Sequence, residues 1–248
     1  YGNSSVTCDH TGTTAVGYKS LQLLQSGNDN TSVGFEAGQE MTTGAGNVAL
    51  GYEAMNKFTT GSYNIGIGYQ GLFGNTSGTI SGSNNIGIGQ TAAKDIKTGD
   101  DNICIGRSAG QSTTSGSDNV FVGALAGSLS SGVFAVQNVA IGHQAFSGTN
   151  TAFDCTSVGY SAGGSITSGS NLTCLGKNAE PSSGSATNEI TLGDANVTAL
   201  RCNDTSIASL SDSRDKTNII DSPFGLDFID SIRPVQFKWN RRNLIEGD

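Results

Sequence analysis

A short phrase that ends in glycine returns eleven times along the chain at a nearly constant spacing. Asn47–Gly51, for example, has counterparts at Asn64–Gly68 and Asn138–Gly142. The phrase-ending residues, called the phrase glycines from this point on, are Gly17, Gly34, Gly51, Gly68, Gly89, Gly106, Gly123, Gly142, Gly159, Gly176 and Gly193. Eight of their ten intervals are 17 residues long, and the other two are 21 and 19. Such a period is typical of a solenoid, whose coils pack only against their neighbours.

The residues just before each phrase glycine alternate between large and small. Val48-Ala49-Leu50 and Ile65-Gly66-Ile67 are examples. An apolar side chain at every second position predicts a β-strand. We expect the aliphatic pair to face the core and the small residue to face an outer surface that approaches closely. A second, shorter strand is expected through residues such as Met41–Thr43.

Two further rows recur at fixed distances before the phrase glycine. An asparagine stands four residues before it in seven copies: Asn30, Asn47, Asn64, Asn85, Asn102, Asn119 and Asn138. Stacking of the coils would place these amides in a hydrogen-bonded ladder. A second glycine stands seven residues before it in seven copies: Gly27, Gly44, Gly61, Gly82, Gly99, Gly116 and Gly169. We expect a positive φ at that position.

The predicted fold is therefore all-β, a parallel β-roll or β-solenoid of about eleven 17-residue coils. Such a narrow roll has little core of its own. Small residues on its outer face favour packing against identical chains in a homotrimer. The glycine register ends at Gly193, which divides the chain into a repeat domain at 1–194, a connector at 195–210 and a more charged segment at 211–248.

Composition excludes several classes of function. The formal net charge of −8 leaves no basic stripe for nucleic acid. No apolar run reaches the roughly 18 residues that a membrane-spanning helix needs. The chain begins at Tyr1 without a signal-peptide pattern, and we expect it to be a fragment or a processed product. Nothing in the sequence implies a cofactor.

The cysteines and histidines are too far apart to combine. Cys104 and Cys174 share a repeat position but lie four coils apart, roughly 19 Å, which is beyond disulfide reach. The five cysteines are therefore expected to be small buried residues from a reducing compartment. His10 and His143 are eight coils apart, so no metal site is expected.

The repeat phrase resembles the left-handed β-roll repeats in the heads of trimeric autotransporter adhesins, and similar repeats occur in phage tail fibres. The resemblance covers residues 13–194. It implies a trimer of identical chains that presents a rigid surface.

The end of the chain carries a second resemblance. Three motifs follow one another: Ser211-Asp212-Ser213-Arg214-Asp215-Lys216, Gly225-Leu226-Asp227-Phe228-Ile229 and Pro234-Val235-Gln236-Phe237-Lys238-Trp239. This order is similar to the start of the self-cleaving intramolecular chaperone at the C-terminus of phage tailspikes and fibres. About 38 residues of such a domain are present, and their spacing predicts a short α+β segment.

The chaperone resemblance implies a single-turnover autoproteolysis. Ser211 would attack the Leu210–Ser211 bond with Lys216 as the base, because a serine hydroxyl is a weak nucleophile until a base takes its proton. Asp212 and Arg214 would hold the local geometry. A serine and a lysine five residues apart indicate nothing without the motif.

Aromatic residues recur directly after the phrase glycine. Tyr52, Tyr69, His143 and Tyr160 are candidate glycan-binding residues, since a row of rings on a rod can stack on sugars. The alternative is a packing ladder in which each ring covers its neighbour, and the sequence leaves both open. Asp100, Asp101 and Asp118 lie in turns and are expected to be solvated.

Together these observations predict a structural and adhesive segment of a phage tail fibre or spike that binds a host-surface polysaccharide. Such a protein would be assembled in the bacterial cytoplasm and carried on the virion. One alternative is a depolymerase tailspike, which needs two carboxylates about 5–10 Å apart. The other is the head of a bacterial trimeric adhesin.

Overall fold

The computed structural model of the chain describes residues 11–74, 79–128, 135–148 and 151–201. This part contains eleven β-strands and no helix. The strands are β1 Thr14–Val16, β2 Thr31–Val33, β3 Val48–Leu50, β4 Ile65–Ile67, β5 Ile86–Ile88, β6 Ile103–Ile105, β7 Val120–Val122, β8 Val139–Ile141, β9 Thr156–Val158, β10 Ser170–Leu175 and β11 Thr187–Leu192. They form one sheet in chain order.

Neighbouring strands pair in parallel and in repeat register. Val48 pairs with Ile65, and Leu50 pairs with Ile67. The register continues across both insertions, at β4–β5 and at β7–β8. Each strand therefore belongs to one coil, and the predicted β-solenoid is confirmed.

The predicted second strand is wrong. Residues 42 and 43 form a bend and residue 41 has no regular structure, although coil-to-coil hydrogen bonds pass through this stretch: Thr42 N donates to Thr59 O at 2.8 Å. The chain returns to its strand through turns with left-handed residues, such as Glu53 at φ 53° and Met55 at φ 51°. A strand needs extended dihedrals, so each coil keeps only one.

The predicted direction of the strand side chains is also wrong. In β2–β9 the middle residue is buried, and the flanking aliphatic residues are half-buried or exposed. Cys104 is fully buried, whereas Ile105 is 38% exposed. Ala49, Gly66 and Gly87 thus face the core of their own chain and do not face a neighbouring one.

The inversion follows from the width of the core. A Cβ placed on Gly66 would lie 2.6 Å from Cγ of Met55 and 2.9 Å from the carbonyl oxygen of Gly71. The opposite wall of the coil is so close that a branched side chain does not fit between it and the strand. A period of two defines which residues share a face, but it does not define which face is inside.

Side-chain volume is balanced across the core of each coil. The middle strand residue faces the residue four positions after the phrase glycine. Gly66 leaves room for Met55 of the preceding coil, whereas large Phe121 is matched by Gly127 in its own coil. A Cβ on Gly127 would overlap the Phe121 ring. Other residues of the Gly127 row, Leu72 among them, have a left-handed φ, so volume and not dihedral freedom requires this glycine.

The asparagine ladder is confirmed and runs from Asn30 to Asn138. Asn102 Nδ2 donates to Oδ1 of Asn85 at 2.9 Å and to the carbonyl oxygen of Gly116 at 2.8 Å. Oδ1 of Asn102 accepts from N and Nδ2 of Asn119 at 3.2 and 2.9 Å. Every ladder member is buried, and this pattern satisfies its amide. Cys155 takes the next position: its backbone N–H donates to Oδ1 of Asn138, and its thiol donates to the carbonyl oxygens of Phe153 and Gly169.

The two glycine rows have different causes. Phrase glycines from Gly17 to Gly176 have φ between 113° and 144°, a region that side chains rarely enter. The second row was predicted to share this property and does not: Gly44, for example, has no positive φ. A Cβ at Gly44 would instead collide with the carbonyl oxygen of Gly61 in the next coil.

Removal of one ladder amide should destabilise the solenoid strongly. We expect Asn102→Ala to lower the free energy of unfolding by about 2–4 kcal/mol, because buried groups of Asn85, Gly116 and Asn119 lose partners. Denaturant unfolding measures the change. The control, exposed Asn196→Ala, should stay within about 0.5 kcal/mol of wild type. Equal effects of the two substitutions would contradict a structural role for the ladder.

The volume balance predicts a compensating pair of substitutions. Phe121→Ala should cost about 3–5 kcal/mol by leaving a cavity, and Gly127→Met should be destabilising through overlap with Phe121. The double variant moves the large side chain to the opposite side of the core and should be more stable than either single variant. A double-mutant cycle from unfolding curves gives the coupling. Additive losses would show that the two positions do not share a volume.

Candidate binding surface

The outer side of the sheet is a continuous aliphatic surface. It consists of the outward residues of β3–β8, which form two straight rows and are called the aliphatic face below: Val48, Leu50, Ile65, Ile67, Ile86, Ile88, Ile103, Ile105, Val120, Val122, Val139 and Ile141. Leu50 is 45% exposed and Ile141 is 42% exposed. Monomeric proteins rarely leave such a patch in water.

A row of aromatic side chains runs beside this face, at the position directly after the phrase glycine in six of the eleven repeats. Tyr18, Phe35, Tyr52 and Tyr69 stack in sequence with ring centroids 5.2 Å apart at every step. The two later interplanar angles are 6° and 4°. The repeat period places one ring per coil, and parallel offset rings at this separation attract one another.

The aromatic row stops after Tyr69 and starts again at His143. Gln90, Arg107 and Ala124 occupy the positions between. His143 then stacks on Tyr160 with centroids 5.4 Å apart and an interplanar angle of 5°. The row therefore has two stacked segments separated by three coils without aromatic rings.

Stacking determines which ring faces of the candidate glycan-binding residues are open to a sugar. Both faces of Tyr52 are covered, by Phe35 and Tyr69. Among these candidates, Tyr69, His143 and Tyr160 each have one stacked face and lie at the ends of a segment. Tyr69 and His143 are four coils apart, roughly 19 Å. The four predicted residues thus share one row without forming a single pocket, and sugar stacking is possible only at segment ends.

Charged side chains accompany the first aromatic segment. Lys19 pairs with Glu36 at 3.2 Å, and Gln70 Nε2 donates to Glu53 at 2.7 Å. The Glu36 carboxylate is the main cause of the raised pKa of Lys19. A hydrogen bond with Glu53 is the main cause of the raised pKa of Tyr52, with partial burial second. The phenol of Tyr52 therefore remains a hydrogen-bond donor at neutral pH.

The described cysteines are buried thiols, as predicted. Cys104, Cys155 and Cys174 form no disulfide and lie in the core. Burial raises the pKa of Cys104 to about 12 and is the main cause that raises the pKa of Cys174 to about 11. A thiol that stays protonated in the core is not a nucleophile.

The remaining candidates fall into two groups. Asp100, Asp101 and Asp118 are exposed in the turns before their strands, as expected. Asp100 Oδ1 accepts a hydrogen bond from Ser83 N at 2.7 Å. The autoproteolysis candidates lie outside the described residues: Leu210, Ser211, Asp212, Arg214 and Lys216. That prediction and the α+β segment around it therefore remain predictions.

The described ranges also bear on membrane and metal chemistry. Within those ranges no helix has the length and apolarity to cross a bilayer. Nor do they contain a group of three or more His, Cys, Asp or Glu side chains placed to hold a metal ion.

The interruption of the aromatic row is the feature that the sequence interpretation missed. Its signal is present in the sequence, since Gln90, Arg107 and Ala124 break a series of rings at one fixed repeat position. The exposed aliphatic face was missed as well, because the alternation was assigned the opposite direction.

Comparison of the chain with protein-family models, with curated proteins and with solved structures gives no match.

Proposed function

We propose that this chain is a structural and adhesive segment of a phage tail fibre or spike, assembled as a homotrimer and binding a host-surface glycan. The observation that carries the proposal is the aliphatic face, an uncharged surface on the outer side of a regular rod. A regular stack of nearly identical coils suits mechanical display better than turnover of a substrate. The resemblance of the C-terminal motifs to a fibre chaperone supports the same assignment.

The form of the aliphatic face favours a second and third copy of the same chain as its partners. From β1 to β10 the sheet extends roughly 43 Å, since strands are about 4.8 Å apart. Identical chains in parallel present identical rows at the same height, so Val and Ile meet Val and Ile in every coil. Burial of an apolar side chain that is otherwise exposed contributes about 1.5–3 kcal/mol at full burial. Many coils acting together would therefore give a stable assembly.

The aromatic row supports the adhesive part of the proposal. It is exposed, it lies on the same rod, and the open ring faces at the segment ends have the shape that stacks on a sugar ring. Three copies on one fibre would multiply weak contacts by raising the effective concentration of each site.

Substitutions at two adjacent residues of β6 distinguish an effect on assembly from an effect on folding. Ile105→Asp places a carboxylate on the aliphatic face, and we expect a folded chain with the mass of one 25.3 kDa subunit, where wild type has three. Cys104→Asp buries the carboxylate inside the coil and should prevent folding. Light scattering with circular dichroism measures both outcomes. The control Thr98→Asp, exposed and outside the strands, should remain trimeric.

The assembly experiment also has clear contrary results. A monomeric wild type at micromolar concentration would overturn the trimer, and a trimeric Ile105→Asp variant would remove the aliphatic face from the interface. The same proteins test adhesion. Wild type should adsorb to at least one member of a panel of purified bacterial surface polysaccharides, and the monomeric variant should adsorb far more weakly because multivalency is lost. Wild type that adsorbs to none of them would overturn the adhesive role.

The proposed autoproteolysis predicts a cut between Leu210 and Ser211 in a protein that contains the whole chaperone. Ser211→Ala should give one uncleaved chain, and Lys216→Ala should do nearly the same, because the hydroxyl then has no base. Mass spectrometry of the products decides the site. Ser213→Ala is the matched control and should be cleaved like wild type. A cut that persists in Ser211→Ala would assign the cleavage to another protease.

A further inference from the structure

At Ala124 the aromatic row has a methyl group in place of a ring, while the backbone keeps its register. The positions from Tyr69 to His143 are joined coil to coil by regular hydrogen bonds. The amide nitrogens of Thr91, Ser108, Leu125, Gln144 and Ser161 donate to the carbonyl oxygens of Tyr69, Gln90, Arg107, Ala124 and His143 at 2.8–3.0 Å. The coils therefore stay equally spaced through the interruption, and Ala124 leaves space where other coils have a ring.

The width of that space follows from the coil spacing. Arg107 and His143 stand on either side of Ala124, two coils apart, which is about 9.6 Å. Rings one coil apart in the same row have centroids 5.2–5.4 Å from each other. A slot of two coil spacings therefore admits one additional ring at ordinary stacking distance from both sides. This space between Arg107 and His143 is called the Ala124 slot.

One wall of the Ala124 slot is a flat π-surface. His143 lies parallel to Tyr160 at 5°, so the other face of its imidazole points along the rod toward the coil of Ala124. His143 is exposed, and Ala124 is half-buried at the base. The wall therefore needs no rearrangement before a ring can stack on it.

The other side of the slot supplies a positive charge. Arg107 is exposed, and its guanidinium can stack on a ring or bind a carboxylate through two parallel hydrogen bonds. The row beside it contains Thr91, Ser108, Leu125 and Gln144, none of which is acidic. The first aromatic segment differs, because Glu36 and Glu53 stand there. The slot is thus locally cationic on a chain whose net charge is −8.

We propose that the Ala124 slot binds one pyranose ring that carries a carboxylate, a hexuronic acid residue of a polysaccharide. The apolar C–H face of the sugar stacks on His143, and Arg107 binds the carboxylate. This inference rests on the proposed adhesive function and names the sugar class that the surface selects.

The test uses the whole chain and two small probes, methyl β-D-glucuronide and methyl β-D-glucoside. NMR signals of the Ala124 methyl and the His143 imidazole report on the slot directly. We expect the glucuronide to shift both signals with a Kd of the order of 1 mM, typical for a ligand of this size. The neutral glucoside should bind about tenfold more weakly, because it lacks the charged group that Arg107 binds.

Three variants locate the binding. Ala124→Tyr adds the missing rung, and it should abolish the His143 shift while light scattering and unfolding remain like wild type. Gln90→Tyr is the matched control: it adds the same ring to the same row but leaves the slot open, so glucuronide should still bind. Arg107→Gln should lower glucuronide affinity about tenfold, to the level of the glucoside.

The outcomes separate this inference from the proposed function. No shift in wild type at about ten times the expected Kd, or an unchanged shift in Ala124→Tyr, would overturn the slot. Adsorption of wild type to surface polysaccharides would still support adhesion in either case. Conversely, glucuronide binding by a protein that adsorbs to no polysaccharide would leave the slot standing and overturn the adhesive function.

Discussion

Hydrogen bonds between neighbouring coils hold this structure in register, and each other feature depends on that register. The parallel strands pair residue for residue, and the asparagine ladder adds a second set of bonds on the inner side of the coil. Because the ladder amides are buried, a shift by one residue would leave many polar groups unsatisfied at once. The cost of such a shift is what keeps every repeat position in a straight row.

Because the register is fixed and the core is narrow, packing depends on the few side chains that face each other across the core. The distance between the strand and the opposite turn is set by the backbone, so the two side chains that meet there must share a constant volume. Gly66 with Met55 and Phe121 with Gly127 are two solutions of that constraint. Residues of very different size therefore occupy the same repeat position, which a consensus of the repeat would not suggest.

Periodicity in the sequence was sufficient to predict the solenoid, the strand in each coil and the asparagine ladder, because each of these depends on spacing alone. The direction of the strand was not predictable in the same way. Val48 and Leu50 are more apolar than Ala49, so hydrophobicity favours burying the pair. The core, however, accepts only what fits beside Met55. The open and covered ring faces of the binding surface were not predictable either. The stacking that covers both faces of Tyr52 depends on side-chain conformation, which the repeat spacing does not define.

The observed direction of the strand side chains, opposite to the predicted one, requires a different explanation for the aliphatic residues. If they were inside, their regularity would be explained by the stability of one chain. On the outside they have no such explanation, and this regular apolar surface is the observation on which the proposed assembly of identical chains rests. The aromatic row beside them differs, because its rings contact one another within a single chain. Within a stacked segment each ring covers its neighbour, and an open ring face remains at the ends of a segment. In the proposed assembly, continuity of the aliphatic rows serves the contact between chains, and the break at Ala124 is the place proposed for the ligand.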